Sequence, residues 1–249
     1  MYKGFYGLGS AMLTHQRNLN VIADNITNVS TQGYKQKRYG STTFGDVLIS
    51  RWDKEDPKGT PIGRQNYIRT ESEIKTDFTQ GSPEYTGQPL DFALYGEGFF
   101  AVQLTGGSVA YTRMGSFSLD EQGYLCLPGY GRVLSDTAQP LQVFTDKLYA
   151  SQDGTVCDAD GQTLGRIGVF RFDDQAALVH NDDNTFTGTG AQQTDSCQVM
   201  NNYLESSNTD LVRTMTEMIS VQRSLQSAAE LAKMYDQIMT KASTEVGRI

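Results

Sequence analysis

Near the start of the chain, Phe5, Leu8, Met12, His15, Leu19, Ile22, Ile26 and Val29 follow one another at alternating steps of three and four residues. This period marks a narrow helical seam, an apolar stripe two positions in seven wide. It predicts a helix over residues 1–30, stopped at Gly33-Tyr34. The far end repeats the pattern. Val221, Leu225, Ala228, Ala232, Tyr235, Met239, Ala242, Val246 and Ile249 alternate four and three, while Leu211, Met215 and Met218 precede them with one extra three-residue step, a stammer that overwinds a supercoil locally. Ser207-Asn-Thr-Asp210 reads as a capping box, and neither Gly nor Pro interrupts the stretch from Asp210 to Val246. A long second helix is therefore expected within 204–249.

The middle has another period. Leu90–Tyr95, Phe99–Leu104, Tyr111–Leu119, Tyr124–Leu127 and Ile167–Phe172 read as strands, separated by turn signals at Gly96-Glu-Gly98, Gly106-Gly107, Asp120–Gly123, Pro128-Gly129, Asp153-Gly154 and Asp160-Gly161. Strands at this spacing predict an antiparallel β domain, a barrel or sandwich, over 71–203. Residues 31–70 fit neither period. Around Trp52 they are polar, and Gly59, Pro61 and Gly63 argue against a regular element, so they read as an extended connector.

A seam two positions in seven wide buries too little surface to hold a helix alone. Both ends share that shortfall, so the helices are expected to pair with each other as a coiled coil, giving an α+β fold. Ala11, Val21 and Ala23 lie off the first seam, and Leu231 and Ile238 lie off the second. That leaves a weaker second face, which self-association would cover.

Composition narrows the function classes. At 249 residues and 38% hydrophobic, the chain can bury a sizeable core, and it has no apolar run long enough to span a bilayer. The first thirty residues are amphipathic and lack a secretory pattern. The net charge of -8 is uneven: residues 1–40 hold five Lys/Arg against Asp24, and 205–249 hold five basic against six acidic side chains. The middle is left strongly acidic, which disfavours nucleic acid as a partner. The short run Lys35-Gln-Lys-Arg38 reads as a solvated segment after the helix.

Candidate chemistry is sparse. Cys126, Cys157 and Cys197 are odd in number and widely spaced, so they are expected to be buried free thiols. His15 sits at a seam position and His180 is the only other histidine, too few for a zinc site. Gly96–Ala101 fits G-x-G-x-x-A, but a strand follows where dinucleotide binding needs a helix N-terminus. Asp153, Asp158, Asp160, Asp182 and Asp183 suit hairpin turns better than a calcium loop. Asn25-Ile-Thr27 and Asn28-Val-Ser30 match the glycosylation sequon by chance, and no G-x-S-x-G elbow exists. No catalytic, cofactor-binding or metal-binding residue is assigned, and no cofactor is expected.

Several blocks carry a family resemblance. Tyr6-Gly-Leu-Gly-Ser-Ala-Met12, Leu19–Val29 with Thr31-Gln-Gly-Tyr-Lys35, Pro89–Val102, Tyr111–Phe117 through Leu125, and Leu204–Asn208 through Arg223 stand in one order along nearly the whole chain. The set resembles the bacterial flagellar rod and hook proteins, and the ending Asp236–Arg248 is more similar to proximal than to distal rod subunits. The resemblance implies a structural subunit, not an enzyme. It would be exported by the flagellar type III apparatus without a cleaved signal, located in the basal body within periplasm or cell wall, and stacked helically with itself and other rod and hook subunits to carry torque. The expected assembly interface is Phe5, Leu8, Met12, Leu19, Ile22, Ile26, Val29, Leu211, Met215, Met218, Val221, Leu225, Ala228, Ala232 and Met239. The alternative from another class is a secreted adhesin or glycan-binding β module that its terminal coiled coil merely oligomerises.

Overall fold

The computed structural model describes residues 2–45, 47–53, 56–65, 68–175, 178–181, 183–194 and 196–246. Two compact units emerge. One gathers residues 1–26, 37–75 and 210–249, and the other gathers 27–36 and 76–209.

The first unit holds both helices, α1 (Tyr2–Thr27) and α2 (Leu211–Val246). They contact each other and run antiparallel. A Cβ placed on Gly4 would lie 2.8 Å from the Tyr235 hydroxyl oxygen, and Leu8 lines a groove with Ile219, Ala228 and Leu231. The start of α2 corrects the expectation on two points. Its cap is Asp210, whose Oδ1 accepts the Arg213 amide at 3.1 Å, while Ser207 Oγ accepts only the Thr209 amide. The seam also continues without a stammer, because Thr214, seven residues before Val221, is only 2% exposed. Its hydroxyl donates to the Asp210 carbonyl at 2.6 Å, so a polar residue can fill a seam position without an orphaned group. Leu211 and Met215 turn outward instead, Met215 being 47% exposed.

Residues 41–44, 47–53, 56–65 and 68–71 form strands, where an extended connector without regular elements is expected. Ser41–Phe44 pairs with Ile68–Glu71, and Val47–Asp53 pairs with Asp56–Gln65 as a long hairpin. The register shift between Ile49 and Ser50 leaves an extra residue between Pro61 and Gly63, so the ladder accommodates both.

The second unit is antiparallel β throughout. Its largest sheet has nine strands, following the order 118–119, 125–127, 131–133, 99–104, 109–112, 186–187 and 179–180, with 169–171 and 192–193 branching from the path. A three-stranded sheet joins 148–150, 155–158 and 163–166. Among the described residues no closed barrel forms, so the barrel half of the β expectation is corrected. The predicted strand 111–119 breaks after Thr112, and Arg113–Phe117 runs irregularly.

The unbroken apolar run Phe99–Val102 has a structural reason. Phe100 and Val102 enter one cluster with Phe92, Leu94, Leu125, Val133 and Ile167. Phe99 enters another on the opposite face, with Phe172, Leu178 and Phe186. A strand covered on both faces needs no polar alternation. The last strands then return to the first: Gln198–Asn201 pairs with Phe92–Tyr95, and Tyr203–Glu205 pairs with Pro83–Tyr85.

Candidate assembly interface

The helix pair is built from both seams. On α1, Ile22 is 3% exposed and Leu8, Met12, Leu19 and Ile26 are half-buried, whereas Phe5 is 52% exposed and Val29 lies past the helix end. On α2, Ala228 is buried and Met218, Val221, Leu225, Ala232 and Met239 are half-buried. The Val246 side chain and Ile249 lie outside the described residues.

The off-seam face of α1 is partly covered within its own unit. Val21, Thr14 and Asn25 are buried there. Asn25 clamps the backbone of Lys37, accepting its amide at 2.9 Å and donating to its carbonyl at 2.8 Å, and Ser10 Oγ accepts the Arg69 amide. An amide side chain supplies both partners for a buried peptide group, which a charge would do only after costly desolvation. On α2 the off-seam apolar residues stay exposed: Val212, Met215 and Ile219 on one flank, Leu231, Met234 and Ile238 on the other.

A second feature, in the β unit, is a buried charge cluster. Lys35 is 1% exposed, so the reading of residues 35–38 as solvated is wrong at its first position. Lys35 Nζ lies 2.5 Å from Glu205 Oε1 and donates to the Thr79 carbonyl at 2.8 Å. Glu205 Oε1 also accepts the Gly81 amide, and Oε2 accepts Arg113 at 3.1 Å. Arg113 donates further to the Gly96 carbonyl and lies over the Phe99 ring. Burial pulls the Lys35 ammonium below its ordinary range, against the opposing pull of Glu205. Gly33, at φ +68°, carries the chain past this cluster, and any Cβ there would meet the Arg113 backbone at 2.5 Å. The compensating acid stands 170 residues from Lys35, where no local pattern could reveal it.

The other sequence candidates fall in plain surroundings. His180 lies between the Tyr34 and Phe186 rings. Gly96–Ala101 leads into a strand, as expected. Asp153 accepts the amide and hydroxyl of Thr155 in a turn, which hold its carboxyl below the usual range, and Asp182 lies outside the described residues. Among the described residues no group of His, Cys, Asp and Glu could hold a metal, and no helix is long and apolar enough to cross a membrane. Only Cys197 is buried; Cys126 and Cys157 are half-exposed, against the expectation of three buried thiols.

Three family descriptions match the chain in order: "Flagella basal body rod protein" over residues 5–35, "Flagellar hook protein FlgE/F/G D1 domain" over 93–157, and "Flagellar basal body rod FlgEFG protein C-terminal" over 200–245. The chain is 31% identical over 274 aligned residues to the flagellar hook-basal body complex protein FlhO of Bacillus subtilis, covering 100% of both. It is 31% identical to the basal-body rod protein FlgG of the same organism, covering 96% of this chain and 97% of the relative. It is 29% identical to the basal-body rod protein FlgF of Caulobacter vibrioides, covering 96% of each. These values lie too close together to separate proximal from distal rod subunits.

Proposed function

Since the chain belongs to the flagellar hook and basal-body rod family, we propose that it is an axial structural subunit of the rod, completed by contacts with copies of itself and with other rod and hook subunits. The observation that carries this is the end-to-end match to FlhO, over a chain whose two terminal helices lie together in one unit. Its role is structural rather than enzymatic. The glycan-binding alternative finds no support, since every matched family and relative above is a flagellar structural protein.

The finer parts of the reading follow from the helix pair. The two seams close as a coiled coil within the subunit, and of the fifteen residues assigned to the assembly interface all but Phe5, Val29, Leu211 and Met215 form its core and its rim. Phe5, Leu211 and Met215, exposed in the single chain, are the members free to meet a neighbour, together with the exposed flanks of α2. Export by the flagellar type III apparatus delivers the subunit to a rod that passes through periplasm or wall, where it transmits torque to the hook.

The test is assembly of the purified full-length chain and of a variant lacking residues 211–249. The full chain is expected to polymerise and to restore basal bodies in cells lacking the gene. The deletion is expected to leave the 76–209 strands protected from amide exchange and to abolish assembly. Polymers formed by the deletion, or a full chain that stays monomeric at every concentration and restores nothing, would refute the reading.

A further inference from the structure

The chain first enters the β unit through residues 27–36, passes out through 37–75, re-enters at 76 and leaves for the last time at 203–209, and the first and last of these segments are bonded directly to each other. The Gly33 amide donates to the Glu205 carbonyl at 2.7 Å, and the Gln36 amide donates to Asn208 Oδ1 at 2.8 Å. Lys35 lies between these rungs, on Glu205. The partner numbers rise together, with 172 residues separating Gln36 from Asn208. The segments therefore lie side by side and run in the same direction.

That alignment fixes how the junction carries load. Tension applied from the two ends pulls the incoming segment backward along its own direction and the outgoing segment forward along the same direction. The segments must then slide past each other, and the rungs are stressed together instead of opening one after another. A third stretch, 77–82, binds both. The Asp77 amide donates to the Gln36 carbonyl, the Ser206 amide donates to the Ser82 carbonyl, and Asn208 Nδ2 donates to the Asp77 carbonyl. The charged rungs are closed to water, so sliding would strand Lys35 and Arg113 without their anion in a dry site, where the cost of separation is greatest.

We propose that this junction is a shear clamp. It ties the incoming and outgoing strands of the β unit to each other, so that axial load passes across Gly33–Gln36 and Glu205–Asn208 and leaves the nine-stranded sheet unstressed. The clamp is a mechanical property of this unit, independent of which assembly the chain joins.

The experiment is single-molecule pulling on the full-length chain, with handles at the exposed positions Ser30 and Arg213, compared with handles at Gln122 and Asp160, an axis that bypasses the junction. The β unit is expected to resist a higher force along the first axis than along the second. Asn208→Ala, which removes the Gln36 rung and the bonds to Asp77 and Thr79 but no charge, is expected to lower the rupture force along 30/213 and leave 122/160 unchanged. Glu205→Gln is expected to speed opening at fixed load along 30/213 by about 100-fold or more. Equal rupture forces along both axes, or variants that weaken both axes alike, would overturn the clamp. If Glu205→Gln does not fold, the Asn208→Ala comparison decides alone.

Discussion

Replacing Glu205 by glutamine keeps the shape, removes the one anion between two buried cations, and turns one of its two acceptor oxygens into a donor that must face Lys35 or Arg113. At effective dielectric 20 and charge separations of about 3–4 Å, each pair contributes about 4–5 kcal/mol of gross attraction. Desolvating three charges costs a similar sum, so the intact cluster is close to neutral for stability. Removing the anion takes away the attraction and keeps the desolvation of both cations, for a loss of about 3–5 kcal/mol. The Thr79 and Gly96 carbonyls still accept from Lys35 and Arg113, which places the loss toward the lower end. For a unit of this size the melting temperature falls by roughly 10 °C. Lys35→Met is milder, at about 1–3 kcal/mol, because Glu205 keeps Arg113 and the Gly81 amide. Urea unfolding followed by amide exchange in strand Phe99–Leu104 reads both variants against wild type. A lysine variant costing as much as the glutamate variant would refute the idea that Glu205 is the hub of the cluster.

Other perturbations separate the remaining elements. Asp210→Ala is expected to destabilise the start of α2 by about 1 kcal/mol while Ser207→Ala has little effect, checked by amide exchange at residues 211–216. Leu8→Asp places a charge at the α1–α2 contact and is expected to block polymerisation while the β unit melts unchanged in calorimetry. Burial, the largest influence on Cys197, raises its thiol from 9.0 to about 11. Between those values the unfolded chain loses a proton that the folded chain keeps, so stability falls as pH rises through that window; the urea midpoint should show this decline and Cys197→Ala should flatten it. Gly33→Ala combines a left-handed backbone with a Cβ against the Arg113 backbone, and is expected to lower the melting temperature measurably in circular dichroism, whereas the same change at the uncrowded Gly9 is expected not to.

What the sequence made legible was whatever repeats locally. The three-four alternation located both helices, and the Gly and Asp turn signals located the strands at 92–95, 99–104, 109–112, 118–119, 125–127 and 169–171 but not the others, because each signal depends on neighbours a few residues away. Failures arose where a distant partner or a special hydrogen bond changed a residue's meaning. Thr214 reads as polar beside the apolar Met215, yet its bond to the Asp210 carbonyl lets it occupy the seam and releases Met215 to the surface. Pro61 and Gly63 looked incompatible with a strand until a bulge accommodated them. Lys35 looked solvated until Glu205 arrived from the other end of the β unit. The last case sets an order on folding as well as on prediction. A closure that depends on a partner 170 residues away has the largest loop entropy to overcome, so the junction forms after the local strands. On that order, Glu205→Gln should accelerate unfolding while leaving the refolding rate near wild type. A variant that slowed refolding instead would place the charge cluster in the folding nucleus.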